Sequence, residues 1–307
     1  MTRISPWMQR NINSLQWRKP RSQLAEFEYN IELDDKNVRK LTISQIPNCE
    51  MRGLGTGAMV WDAAICLCKW LELIKKDYNG LFQYVTSQTI VQSPVKSESL
   101  NITPDDFPLP LETFEFKFQL AHDQKWIELG AGQGFVGICC ASLGVGEVVC
   151  TDLPILKELI EFNVTQNCSD LKTCDESNQE QSRVSFFEFD WSSVNLPQEL
   201  NSHFDLVIVC ECLYANVPHH LLLNALLLIT RGFGIKDGDL PFTHTKDENP
   251  PFILLVYEHR NQVVFFEFMK SAMTFFDICK LPPEILHKFY QTNDIFFFAM
   301  KLKKQMQ

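Results

Sequence analysis

"WIELGAGQGFVGICCASLGVGEVVCTDLP", residues 126–154, decides how the chain folds. It reads as an apolar strand, a glycine-rich turn, a short helix, a second strand, and an acid, Asp152, at that strand's end. The same alternation continues downstream. The pattern predicts strands at 125–130, 147–151, 184–189, 204–211, 251–259 and 293–304, and helices at 134–143, 154–167, 217–230 and 261–275. Strands that are apolar throughout, rather than at every second residue, belong to a parallel sheet covered on both faces. The fold class is therefore α/β, with a doubly wound sheet whose last strand lies near 294–303.

Upstream, "EFEYNIELDDKNVRKLTISQ" (26–45) predicts two strands around a D-D-K-N hairpin signal. A glycine-rich loop follows and runs into an amphipathic helix from about residue 58 to 76. Residues 1–25 are expected to form a flexible tail. Residues 26–307 are expected to form one domain: a hairpin and helix extension (26–76), an insertion (77–124) and a core (125–303). Residues 168–183 and 232–250 read as further polar loops.

Composition narrows the function. The chain has 28 basic and 38 acidic residues, a net charge of −10. That balance argues against a surface that tracks phosphates, so no nucleic-acid partner is expected. No apolar run reaches the roughly 18 residues that span a bilayer, so no membrane partner is expected either. The first 21 residues have no apolar h-region, so no secretory signal is expected; their four Arg, one Lys and no acid read as a basic tail, with a transit peptide the alternative. Eleven cysteines, mostly in apolar runs and without C-x-x-C spacing, suit small buried hydrophobes in a reducing compartment. No metal site is expected, and a cytoplasmic location, with the nucleus also open, follows.

The glycine loop supports two readings. Gly132, Gly134 and Gly137 satisfy G-x-G-x-x-G, and Asp152 follows at the spacing of a ribose-binding acid, as in a dinucleotide site. The loop also reads E-L-G-A-G-Q-G, residues 128–134. A carboxylate at Glu128 would repel a pyrophosphate and welcome a cation, such as the amino group of an amino-acid moiety.

Flanking segments favour the second reading. "GAMVWDAAICLCKWLE" (57–72), "WIELGAGQGFVG" (126–137), "VVCTDLP" (148–154), "FEFDW" (187–191), "FDLVIVCECLY" (204–214) and "LVYEHR" (255–260) follow one another in order. As a set they resemble the seven-strand, class I, Rossmann-like protein-lysine methyltransferases of the methyltransferase-like 21 group. Within that group they resemble the branch that modifies valosin-containing protein. The resemblance covers about residues 26–76 and 125–303.

It implies seven strands in the sheet, the last antiparallel. It also implies S-adenosyl-L-methionine as cofactor and a protein with an exposed lysine as substrate, a chaperone-type ATPase or translation factor among the candidates. A monomer is expected. Gly130, Ala131 and Gly132 would lie under the methionine moiety. Asp152, with Leu153 beside it, would accept the ribose hydroxyls. Asp190 and Trp191 would line the adenine pocket, Trp61 would close the site, and Cys210 stands where the group often has Ala. Glu211 takes the place of the group's usual Asp and, with Tyr214, would orient the incoming amine. Glu258 and Arg260 lie near the same edge, either paired or facing substrate, and His259 reads as a surface residue. Two alternatives remain open at this level: transfer to another acceptor (a histidine, an N-terminus or a small molecule), and an idle cofactor-binding interaction module.

Overall fold

A computed structural model of the chain describes residues 21, 23–47, 57–85, 114–174, 180–214, 218–232, 234, 249–290 and 292–303. It begins with an antiparallel hairpin, β1 (Glu26–Glu32) and β2 (Val38–Ser44). Asp34 makes the turn: its Oδ1 accepts the backbone N–H groups of Lys36 and Asn37 at 2.8 and 2.9 Å. Helix α1 (Asp62–Asp77) follows. Next come β3 (Leu81–Val85) and β4 (Glu115–Gln119), paired antiparallel.

The central alternation begins with β5 (Lys125–Leu129), α2 (Phe135–Ser142), β6 (Glu147–Asp152) and α3 (Lys157–Cys168). A small ladder, β7 (Lys172–Cys174) with β8 (Glu180–Ser182), precedes β9 (Val184–Glu188). The chain continues through β10 (Leu206–Cys210), α4 (His219–Arg231), β11 (Phe252–Glu258), α5 (Gln262–Ala272), β12 (Phe276–Lys280) and β13 (Ile295–Leu302).

The main sheet has seven strands in the order β12-β13-β11-β10-β5-β6-β9. Only β13 runs antiparallel to its neighbours. Strands β5 and β10 lie side by side, yet the chain proceeds outward from them in opposite directions. That reversal opens a crevice at the carboxyl ends of the strands, where ligands of open α/β sheets bind. Two apolar layers hold the sheet, one on each face, as the apolar runs of β5 and β10 require.

The hairpin is fastened at both edges by side chains. On β2, Asn163 and Asn167 of α3 act as surrogate strand partners. Asn167 Oδ1 accepts from Thr42 N and its Nδ2 donates to Thr42 O, both at 2.9 Å. Asn163 does the same to Ser44 at 2.8 and 2.9 Å. On β1, Glu72 of α1 accepts Glu32 N at 3.0 Å and the Tyr29 hydroxyl at 2.5 Å, and Lys69 donates to Asn30 O at 3.1 Å. Unpaired strand edges thereby find partners without a third strand.

Several sequence-based boundaries change. Residues 77–124, read as an insertion, include β3 and β4, and these strands are core. Trp70 of α1 packs edge-on against Phe82, Phe118 and Phe297 at 4.9, 5.7 and 5.3 Å between ring centroids. The alternating apolar residues of E-F-K-F-Q carried that signal, but β3 and β4 are separated by a long stretch of chain. Strand β12 was unassigned, because α5 ends early, at Ala272, and F-D-I-C-K is short. The polar loop expected over 168–183 contains the β7–β8 ladder. Arg21, placed in the tail, is buried and ion-paired with Asp62, and its carbonyl accepts from Gln45 Nε2 at 2.7 Å. Most of the tail and the 232–250 loop lie outside the described residues.

Candidate active site

The turn after β5 needs backbone conformations that side chains resist. Gly130 and Gly132 adopt φ of +68° and +60°. They are also sterically confined. A Cβ on Gly130 would lie 2.6 Å from Cys212 Sγ, and one on Gly132 would lie 2.4 Å from the Gly57 carbonyl oxygen. The loop is thus clasped between the segment after β10 and the strap, residues 57–61, that leads into α1.

Asp152 ends β6 and organises the turn from the other side. Its Oδ2 accepts Gly132 N and its Oδ1 accepts Leu153 N, both at 2.8 Å. Burial raises its pKa above the ordinary carboxylate range, against the pull of those two N–H groups. Each oxygen keeps a free acceptor position, which suits a pair of hydroxyl groups.

Glu128 is 2% exposed, on β5 directly beneath the loop. Its Oε2 accepts Gly137 N, in the first turn of α2, at 3.0 Å. Burial pushes its pKa up to about 8, partly offset by that bond. The side chain serves the fold as a helix anchor and still lines the cavity above it.

Glu211 stands just past β10 with φ +59°, rare for a side-chain-bearing residue. Its N–H donates to Val256 O at 3.0 Å, and its Oε1 accepts Glu258 N at 2.6 Å. Burial lifts its pKa to about 8, while the positive charge of Arg260 pulls the other way. Backbone strain held by two bonds to β11 marks this as a built feature of the strand end.

These groups converge on one cavity of about 440 Å³, within the usual range for a small-molecule site. The residues matched to cofactor and amine positions line it: Trp61, Glu128, Gly130, Ala131, Gly132, Asp152, Leu153, Asp190, Trp191, Cys210, Glu211 and Tyr214; Glu258, His259 and Arg260, also singled out, do not. Sequence reasoning missed Gly57, Met59, Gln133, Phe189 and Cys212, which line it too. Gln133 fixes the strap, since its amide faces the carbonyl oxygens of Gly57 and Met59 at 2.9 and 3.0 Å, where its nitrogen donates. Cys212 donates to Leu129 O at 3.2 Å beneath the turn. Neither had a signal beyond its place beside a motif. His259, expected at the surface, is partly buried among the rings of Tyr257, Phe265 and Phe296. Glu258 and Arg260 form an ion pair.

The lining has a one-sided chemistry. Among the described residues it contains four carboxyl groups, Glu128, Asp152, Asp190 and Glu211, and no Lys, Arg or His. A pyrophosphate meets no cationic side chain among the described lining residues, and Glu128 and Asp152 already occupy the backbone N–H groups of Gly137 and Gly132. A ligand with an ammonium, a positive centre and vicinal hydroxyls fits. The aromatic and aliphatic surfaces of Trp61, Leu153, Phe189 and Trp191 can take a flat base.

The seven-strand sheet with its reversal at this cavity is a doubly wound, Rossmann-like fold. The chain belongs to the lysine methyltransferase family, whose profile matches residues 36–234. That match makes the fold that of a class I methyltransferase. It is 27% identical over 173 residues to EEF1A lysine methyltransferase 3 of Xenopus tropicalis, covering 56% of this chain and 52% of that protein. It is 27% identical over 183 residues to protein N-lysine methyltransferase METTL21A of Danio rerio, covering 60% of each. The protein-lysine N-methyltransferase rrg1 of Schizosaccharomyces pombe is 36% identical over 99 residues, 31% of each chain. The match spans 31–60% of the length of these curated relatives. None of these relatives carries the finer placement in the branch that modifies valosin-containing protein. Among the described residues, no helix is long and apolar enough to cross a membrane.

Proposed function

We propose that the protein transfers the methyl group of S-adenosyl-L-methionine to a lysine side chain of a protein. The observation that carries this reading is the cavity's chemistry: four carboxyl groups and, among the described residues that line it, no Lys, Arg or His. The donor supplies an activated methyl on a positively charged sulfur. Glu128 faces its ammonium, Asp152 its ribose hydroxyls, and Trp191 with Asp190 and Leu153 its base, while Trp61 closes the strap side.

The acceptor nitrogen forms a bond to the methyl carbon as the carbon–sulfur bond breaks. Sulfur keeps the electron pair and becomes neutral. Lysine must lose a proton first, since at pH 7 only about one in two thousand is free. The arriving ammonium favours ionisation of the buried Glu211, whose proton passes to water, and the carboxylate so formed binds and orients the ammonium while Tyr214 shapes its approach. The lysine proton then leaves to water. Alignment of nitrogen, carbon and sulfur is the protein's main contribution. Family membership supports lysine over other acceptors and a catalyst over an idle module.

The test is incubation with donor carrying a labelled methyl in a lysate of cells lacking the protein. A labelled protein band whose label maps to lysine supports the reading. Label on histidine or an N-terminus, or binding without transfer, contradicts it.

A further inference from the structure

The structure places a cation, Arg260, at the rim of this acidic site, and its contacts reach both walls. The Arg260 guanidinium stacks over the Trp61 ring, 4.2 Å from its centroid. It is also paired with the carboxylate of Glu258. The backbone N–H of that same Glu258 donates to Glu211 Oε1 at 2.6 Å. The turn that carries Arg260 is pinned in place, because His259 N donates to Asp294 O at 2.6 Å. Trp61 belongs to the strap from the N-terminal extension, and Glu211 to the end of β10. These segments are far apart in sequence, and Arg260 joins them.

We propose that Arg260 is a positioning residue, a clamp that holds Trp61 against the donor cavity and orders the strand end that carries Glu211. The proposal rests on the methyl-transfer reading above. An arginine suits the task because its plane can stack on an indole and grip a carboxylate together, whereas a lysine offers only a point charge. Arg260 is also the cation that faces Glu211. Around Glu211 the other titratable groups are Glu258 and Asp294, which oppose its ionisation, the thiols of Cys210 and Cys212, and the Tyr257 hydroxyl. Removing Arg260 takes away the positive charge that favours ionised Glu211 and leaves the opposing charges of Glu258 and Asp294 in place.

The clamp makes two separable claims. Both Arg260→Lys and Arg260→Met should weaken binding of S-adenosylhomocysteine by about threefold to tenfold, because the indole loses its stacking partner. Only Arg260→Met should shift stability in a pH-dependent way. Its urea midpoint should fall further below wild type above about pH 8, where Glu211 ionises, than at pH 6. That pH-dependent part should vanish in a Glu211→Gln background and should be absent from Arg260→Lys. Calorimetry with S-adenosylhomocysteine and urea titrations at pH 6 and 9 on the full chain read both.

Unchanged donor affinity in both variants overturns the clamp. So does a midpoint loss in Arg260→Met that is equal at the two pH values, since that is ordinary packing. A wild-type protein that takes up no S-adenosylhomocysteine overturns the donor reading itself, and the clamp with it; the wild-type titration therefore tells the two failures apart.

Discussion

Glu128 gives the sharpest quantitative handle on the site. Its carboxyl is buried against α2 with a pKa of about 8, where 4.5 is ordinary. The sign follows from proton counting. Between those two values the unfolded chain has released the Glu128 proton and the folded chain has kept it. Stability therefore falls as pH rises through that window. The full difference corresponds to roughly 5 kcal/mol, with relaxation of the surroundings reducing it to about 3. Glu128→Gln is neutral at every pH and still offers Gly137 N an acceptor oxygen. Asp152 and Glu211 also titrate upward, but both chains share them, so the difference between chains isolates Glu128. Urea unfolding at intervals from pH 4.5 to 9 measures it. The variant should gain on wild type steadily across the range, by a total of about 3–5 kcal/mol. Two curves that run parallel would refute the claim that Glu128 is held protonated.

Three further outcomes follow from particular contacts. Binding of S-adenosylhomocysteine at pH 7 should release a fraction of a proton as its ammonium ionises Glu128, read from calorimetry in buffers of different ionisation enthalpy; Glu128→Gln should abolish the release. Gly132→Ala should destabilise the fold by about 1–3 kcal/mol in thermal melts, because it combines a φ of +60° with a Cβ 2.4 Å from Gly57 O. Asn163→Ala should cost about 1–3 kcal/mol, because it leaves Ser44 at the hairpin edge and the Gln133 carbonyl without their bonds.

The site was more legible in the sequence than the fold around it, for a physical reason. A turn that must pass under a ligand restricts residue type at each step, so E-L-G-A-G-Q-G and T-D-L announce themselves. Apolar strands β5 and β10 were equally plain, because both of their faces are buried. Strands β3 and β4 were not, since two short alternating runs with a long stretch between them look unrelated until Trp70 brings them together. The roles of Asn163 and Asn167 were hidden for a similar reason. An asparagine that imitates a strand partner has no local signature, only a distant edge to satisfy. Arg260 was visible in Y-E-H-R, but its choice between Glu258 and substrate depended on the position of Trp61, about 200 residues away in the chain.

Isothermal titration of S-adenosylhomocysteine into the wild-type chain and Asp152→Ala tests the central claim most directly. The account predicts one site per chain in the wild type and a loss of tenfold or more in the variant, as expected when hydroxyl groups lose a charged acceptor. No heat with the wild type, or equal affinity in the two chains, would contradict it.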